Sequence, residues 1–330
     1  MNSFGQLFKI SLFGESHGNS IGVLIDGMPP GIKVDVDLIK SDLLKRRPSK
    51  LYETPRVEED EFFIESGVYQ GLTVGTPILV RILNKSYNSE TYLKYKTHHR
   101  PSQSDFVLKN KFKGFHNLPG SGHFSGRITT CLVVAGAFAK MVLKNVEIKT
   151  SVTQVGTLTN LEELDQYLSE IIKSKETVGA HLTTTVSGVE VGLGEPFFYG
   201  IESVISQILF SIPSIKGVSF GAGFKAVELL GSDYVDKIIN KDGQTITNNS
   251  GGINRGITNG NDLVINTVTR PISSFKKGIE TFNFETEKIE ELKVSGSHDV
   301  FIGNRIKVII ENAIMIALLD LYLINKRYKW

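Results

Sequence analysis

Between Ile306 and Leu323 the chain runs through apolar residues, interrupted only by Lys307, Glu311, Asn312 and Asp320. A segment this apolar must be covered around most of its circumference, by lipid or by protein. Ionisable residues spread along its length fit a membrane span poorly. The segment is therefore expected to be a buried helix with one wet edge. Such a helix needs neighbours on nearly every side. A chain of 330 residues, 40% hydrophobic, can supply them.

Charge and cysteine content narrow the class further. Lys and Arg number 37 against 35 Asp and Glu, a net charge of +2, so no general nucleic-acid partner is expected. The single Cys131 cannot form an internal disulfide. Its setting, Thr130-Cys131-Leu132-Val133-Val134-Ala135, suggests a buried, inert thiol. Met1-Asn2-Ser3-Phe4-Gly5-Gln6 lacks the basic start and apolar run of an export signal. A cytoplasmic protein with no membrane partner is the expectation.

The remaining pattern mixes helix and strand. Phe8 to Phe13 and Ile21 to Asp26 read as two strands around a polar tip, Gly14 to Ser20. Asp35 or Asp37 can cap a helix through Leu38, Ile39, Leu43 and Leu44 that ends near Arg46-Arg47-Pro48. Asn160 and Glu163 resemble a capping box before a helical stripe of Leu161, Leu164, Leu168, Ile171 and Ile172. Gly126 to Val142 reads as a small-residue loop feeding a tightly packed helix. Ala180 to Val191 and Asp262 to Thr269 read as strands, with a helical stripe at Ile201 to Leu209. The Gly- and Asn-rich stretch from Asn248 to Gly260 is unsuited to a regular helix or a central strand.

Several residues can carry chemistry, each beside an ordinary alternative. His17 lies in a glycine-rich loop, as a solvated residue or as an acid–base group. Lys45-Arg46-Arg47 either complements a helix dipole or clamps an anion. Gly122 to Arg127 can present backbone N–H groups to an anion, without the spacing of a P-loop. Arg270-Pro271-Ile272-Ser273-Ser274 suits a phosphate or a ring edge, and equally an ordinary loop. Asp299 either opens the long helix or serves as a base. No Cys or His set has metal-ligand spacing, so no metal is expected.

Gly14-Glu15-Ser16-His17-Gly18-Asn19-Ser20, continuing to Asp26-Gly27-Met28-Pro29, resembles the amino-terminal signature of the chorismate synthase family. Gly122-His123-Phe124-Ser125-Gly126-Arg127-Ile128-Thr129 resembles its central signature. His298-Asp299 and Glu311-Asn312-Ala313 resemble part of its carboxy-terminal one. Segments such as Asn249-Ser250-Gly251-Gly252-Ile253 and Gly256-Ile257-Thr258-Asn259-Gly260 follow in family order, so the resemblance spans essentially the whole chain.

It implies an α+β fold, a β-α-β sandwich forming a single large domain over residues 1–330, assembled as a homotetramer. It also implies a lyase of the shikimate pathway, acting on a small anionic substrate. That enzyme removes phosphate from 5-enolpyruvylshikimate 3-phosphate by 1,4-elimination and yields chorismate. Reduced FMN is required without net redox change, and NADPH is the external reductant on offer.

Residue by residue, Arg46, Arg47, Arg100, Arg127 and Arg56 match arginines lining the family's site. His17 matches a histidine that protonates the departing phosphate, and Asp299 an aspartate that assists hydrogen removal. His123, Phe124, Ser125, Arg255, Arg270, Pro271, Ile272, Ser273, Ser274 and Ser297 align with flavin-contacting positions, as does Pro213-Ser214.

The chain also departs from the family pattern. Arg100-Pro101-Ser102-Gln103-Ser104-Asp105 carries Gln103 where the family has a catalytic histidine, and an amide cannot titrate. Pro119 and Ser297 stand where the family has arginine, and Ser121 where it has glycine. Two readings follow: a chorismate synthase, active or slowed, or an FMN-binding paralogue with altered or lost activity. Arg46, Arg47, Arg100, Arg127, Arg255 and Arg270 are expected to converge on one pocket.

Overall fold

A computed structural model describes residues 2–50, 52–53, 58–85, 89–294 and 298–328. Two antiparallel sheets enclose a layer of helices. The first has the order β1 (Ser3–Phe4), β2 (Lys9–Gly14), β3 (Ser20–Asp26), β7 (Ile78–Leu83), β4 (Phe62–Ile64), with the small hairpin β5 (Val68–Tyr69) and β6 (Leu72–Thr73) beside it. The second has the order β10 (Ile215–Phe220), β13 (Leu263–Thr269), β9 (Ala180–Ser187), β8 (Glu147–Val155). Two further hairpins are β11 (Ile253–Asn254) with β12 (Ile257–Thr258), and β14 (Ile279–Asn283) with β15 (Lys288–Leu292).

The helices are α1 (Val36–Arg46), α2 (Asp105–Lys111), α3 (Thr129–Val142), α4 (Leu164–Lys173), α5 (Ile201–Ser211), α6 (Gly231–Tyr234) and α7 (Gly303–Asn325). Strand alternation explains the layering. In β7, Ile78, Val80 and Ile82 are buried while their neighbours are partly exposed, and β9 and β13 repeat the pattern. Each sheet thus offers one apolar face. Helix α3 packs on β3 of the first sheet, α7 packs on β8 and β9 of the second, and α3 and α7 lie against each other. One continuous hydrophobic core runs through all three layers.

The long helix is buried as expected, with Lys307 and Glu311 partly exposed on one edge, while Asn312 and Asp320 are fully buried. Although α7 is long and apolar enough to cross a membrane, most of it is enclosed by protein. Asp320 is fully buried and accepts from the backbone N–H groups of Gln6, Leu7 and Phe8 at 2.7–3.0 Å, and from the Tyr199 hydroxyl at 2.8 Å. Asn312, also fully buried, donates to Asp42 Oδ2 at 3.1 Å, and Glu311 accepts from the Thr150 N–H at 2.8 Å. Helical periodicity cannot reveal such partners, because they come from distant segments.

Local readings fare well. Asp35, rather than Asp37, caps α1 by accepting from the Leu38 N–H at 2.9 Å. Asn160 caps a short 3₁₀ turn ahead of α4. Its oxygen accepts from the Glu162 N–H and its amide donates to Glu163, so the two residues cap the turn through a side-chain pair in place of the reciprocal backbone bonds of a capping box. The Gly- and Asn-rich stretch turns between β11 and β12 through Arg255 and Gly256, both with positive φ (52° and 84°).

Candidate active site

A cavity of about 360 Å³ opens where the end of α1, the loop before α3 and the start of α7 meet the segment after β13. That volume suits a small-molecule ligand. Six arginines line it: Arg46, Arg47, Arg100, Arg127, Arg270 and Arg305. Ile212, Pro213, Ile302, Ile306 and Ile309 supply apolar wall. Glu58, Asp60 and Asp299 are the carboxylates among the described lining residues.

The arginines are not equivalent. Arg100 is buried in a two-pronged pair with Asp105, Nε–Oδ2 2.9 Å and Nη2–Oδ1 2.7 Å. The Tyr95 and Tyr92 rings lie 4.6 and 5.3 Å from its guanidinium carbon. Burial works against its charge, and Asp105 outweighs burial, holding the group above its usual range. Arg127 pairs with Asp60 and donates to Asn84 Oδ1 at 3.0 Å and the Leu83 carbonyl at 3.1 Å. Both cations are neutralised within the protein.

Arg46 is different. It is 8% exposed, donates only to the Thr129 hydroxyl (3.3 Å) and the Gly126 carbonyl (2.9 Å), and forms no ion pair among the described residues. Burial pushes its guanidinium down to about 10. Asp60 opposes that, while the like charges of Arg305 and Arg127 add to it. Arg270 donates to the Pro271 carbonyl, has no ion pair among the described residues, and is likewise lowered by burial. Arg47 bonds the Glu59 carbonyl, leaving its Nε buried without a partner. Desolvated guanidiniums with spare donors form a prepared anion site. The dipole alternative for this basic cluster fits only Lys45, which pairs with Asp42 on its own helix.

Other predicted residues divide cleanly. Gln103, Phe124, Ser125, Ile272, Ser274 and Asp299 line the cavity. Gln103 Nε2 donates to Ser274 Oγ at 3.0 Å, so the non-titrating substitute is anchored across the wall. Asp299 accepts from Arg305 Nη1 at 2.7 Å and lies upstream of the helix end, so it does not cap α7. Arg305 escaped sequence reasoning. Its signal was a lone arginine in the first turn of an otherwise apolar helix.

His17, His123, Pro271, Ser273 and Arg255 do not line the cavity. His17 is half-buried, with Nδ1 3.0 Å from the Ser89 hydroxyl and its ring edge-on to Tyr92, a lining residue. Gly120 makes this possible: a Cβ there would lie 2.4 Å from the imidazole. His123 Nδ1 is bound to the Gly14 carbonyl at 2.8 Å, and Ser273 turns toward the Ser102 carbonyl. Arg255 is exposed at the β11–β12 turn, so the expected convergence of six named arginines fails there. Ser297 and Arg56 lie outside the described residues. Of the departures, Ser121 adopts positive φ (64°), and its hydroxyl accepts from Arg100 Nη2 at 3.3 Å.

Residues 8–323 match the chorismate synthase family. The chain belongs to that family. It is 42% identical over 328 residues to the chorismate synthase of Chitinophaga pinensis, covering 99% of this chain and 98% of that protein. It is 37% identical to that of Cytophaga hutchinsonii, covering 98% of each, and 34% identical to that of Thermococcus gammatolerans. A crystal structure of a chorismate synthase superposes with a TM-score of 0.73 at 24% identity, over 97% of this chain and 92% of that one, and carries the same fold. The α+β sandwich is thus the fold of the family, and the family's enzymes are carbon–oxygen lyases of aromatic amino-acid biosynthesis.

Proposed function

We propose that this protein converts 5-enolpyruvylshikimate 3-phosphate to chorismate by 1,4-elimination of phosphate, with reduced FMN bound in the same cavity. The observation that carries the reading is Arg46, a buried guanidinium without an ion pair among the described residues, beside Arg47, Arg270 and Arg305 in the cavity lining. A multiply anionic substrate supplies the countercharge that the described residues do not give Arg46. Placing those cations in a site partly walled by isoleucines strengthens each interaction as phosphate charge develops.

The residues also suit a flavin. Ile212, Pro213 and Ile302 offer apolar surface for a ring system. The Ser214 hydroxyl, at positive φ (81°), is buried without a partner among the described residues and lines the same cavity, where a ring heteroatom can meet it. Arg270 and Ser274 line the same cavity and are residue types that suit a phosphate. When bound, reduced FMN supplies the electron-rich ring that this family's elimination requires. NADPH serves as its external reductant. This chain's own part is to neutralise the substrate's charges through Arg46, Arg47 and Arg305, to orient it, and to exclude water.

The large exposed apolar side chains of the segment after β10, with Phe224 83% and Val227 88% exposed, support assembly into the homotetramer. We further infer a single domain in a cytoplasmic setting. The direct test is anaerobic incubation with reduced FMN and the substrate, following chorismate by absorbance. Chorismate formation is expected. FMN binding without chorismate would establish the paralogue reading instead.

A further inference from the structure

We propose that Asn84 is a positioning residue for His17, clamping the turn that carries the imidazole to an arginine of the cavity wall. The inference rests on the lyase reading above, with His17 protonating the departing phosphate. Asn84 follows directly on β7 and is buried. Its Nδ2 donates to the Glu15 carbonyl at 3.0 Å and to the Gly18 carbonyl at 2.8 Å. Its Oδ1 accepts from Nε of Arg127, a lining residue, at 3.0 Å. Both amide N–H groups and the amide oxygen are thereby engaged. Asparagine is the one side chain of this length that offers two donors and an acceptor at once.

The two carbonyls belong to one turn. The Gly18 N–H donates to the Glu15 carbonyl at 3.0 Å, closing Glu15-Ser16-His17-Gly18 with His17 at its third position. Asn84 thus holds the first and last carbonyls of the turn that carries the imidazole. The ring itself meets two lining residues. It stands edge-on to Tyr92, with centroids 5.2 Å apart, and a Cβ on Gly120 would lie 2.6 Å from Nε2. The other nitrogen, Nδ1, is 3.0 Å from the Ser89 hydroxyl. His17 therefore approaches the cavity wall with its Nε2 edge, against the bare Cα of Gly120, and a rotation of the turn changes what that edge faces.

The hairpin does not need this clamp to form. β3 pairs with β2 along the whole of β2, and His123 Nδ1 lies 2.8 Å from the Gly14 carbonyl. The Ser16 N–H donates to the Gly122 carbonyl at 3.0 Å, and the backbone N–H of Asn84 donates to the Asn19 carbonyl at 3.1 Å. Those bonds fix the strands and the two ends of the loop. The amide adds orientation. A turn carbonyl that swung away would leave a buried N–H of Asn84 unpaired, which costs more than a typical hydrogen bond contributes. Arg127, held in turn by Asp60 and the Leu83 carbonyl, gives the amide a fixed anchor.

Asn84→Asp tests this, because it keeps an oxygen for Arg127 and removes both donors from the turn. In turnover with reduced FMN, kcat is expected to fall at least ~10-fold with KM within about twofold, since Arg46, Arg47 and Arg305 are untouched. In a His17→Ala background the same substitution is expected to change kcat by less than about twofold. A wild-type kcat for Asn84→Asp, or equal losses in both backgrounds, overturns the proposal. Nitrogen-15 NMR of the histidine rings, assigned with His17→Ala, gives a readout without turnover. Asn84→Asp and the uncharged Asn84→Ala are each expected to displace the His17 ring resonances while those of His181, on β9, stay in place. Unmoved His17 resonances, or a displacement shared by His181, overturn the proposal. Wild-type protein that makes no chorismate counts against the lyase reading alone, and the NMR comparison then decides the role of Asn84.

Discussion

Arg305 Nε donates a 2.9 Å hydrogen bond to the backbone carbonyl of Arg46, 259 residues away in sequence. The first turn of α7 thereby holds the last turn of α1 and keeps two guanidiniums side by side despite their mutual repulsion. Burial and the neighbouring guanidiniums lower the Arg46 group to about 10, so its charge is held at a cost to folding at neutral pH. The cavity retains an anion site at the expense of stability.

Arg46→Met is therefore expected to raise stability to urea by about 1–2 kcal/mol at pH 7 while weakening orthophosphate binding at least ~10-fold. Because the folded-state value, about 10, lies below the unfolded one, the unfolded chain binds more protons between them. Wild-type stability then recovers as pH rises through that window, so the advantage of Arg46→Met shrinks above pH 10. Urea titrations at pH 7 and above pH 10, with phosphate binding by calorimetry, check both parts.

Asp42 ties the helices behind the site. It is fully buried and accepts from Lys140 (2.6 Å), Lys45 (2.9 Å) and Asn312 (3.1 Å). Burial raises its carboxyl, and these partners together outweigh burial to hold it below the usual range. Asp42→Asn is expected to cost about 3 kcal/mol at pH 7. A lowered folded-state value means this stability is present above the unfolded value and lost as pH falls through the folded one. The gap between variant and wild type is expected to close below pH 4, as measured by thermal melts across pH.

Gly136 sits where α3 crosses α7. An added Cβ would lie 2.3 Å from Asn312 Cβ and 2.5 Å from its Cα and carbonyl oxygen. Gly136→Ala is expected to cost about 3 kcal/mol or to abolish soluble expression, since backbone rather than a movable side chain must yield. Denaturant midpoints, or the soluble fraction, measure it.

Cys131 is fully buried and burial pushes its thiol up to about 12. It is expected to resist an aromatic disulfide reagent in the native protein and to react as one thiol per chain in denaturant. Fast native labelling would contradict the packing of α3.

Much of this protein was legible before its tertiary structure. The β2–β3 pair, the Asp35 cap, the inert thiol and the near-total burial of α3 follow from periodicity and local chemistry. These depend on neighbours within a few residues. The family motifs also directed attention to Arg46, Arg47, Arg100 and Arg127, all of which reach the cavity.

Their pairing was beyond the linear sequence. Nothing local distinguishes Arg127, spent on Asp60, from Arg46, left without an ion pair among the described residues. The difference arises from carboxylates brought by other segments. The same holds for Glu311 and Asp320 of α7, whose partners lie 121 to 314 residues away. His17 illustrates the converse: its loop is where the sequence puts it, yet the imidazole packs against Gly120 and Tyr92, which line the cavity, and is not itself among the lining residues. Sequence alone determined which segments form and which residue types are available. Tertiary structure decided which charges meet, because electrostatic pairing depends on distance in space.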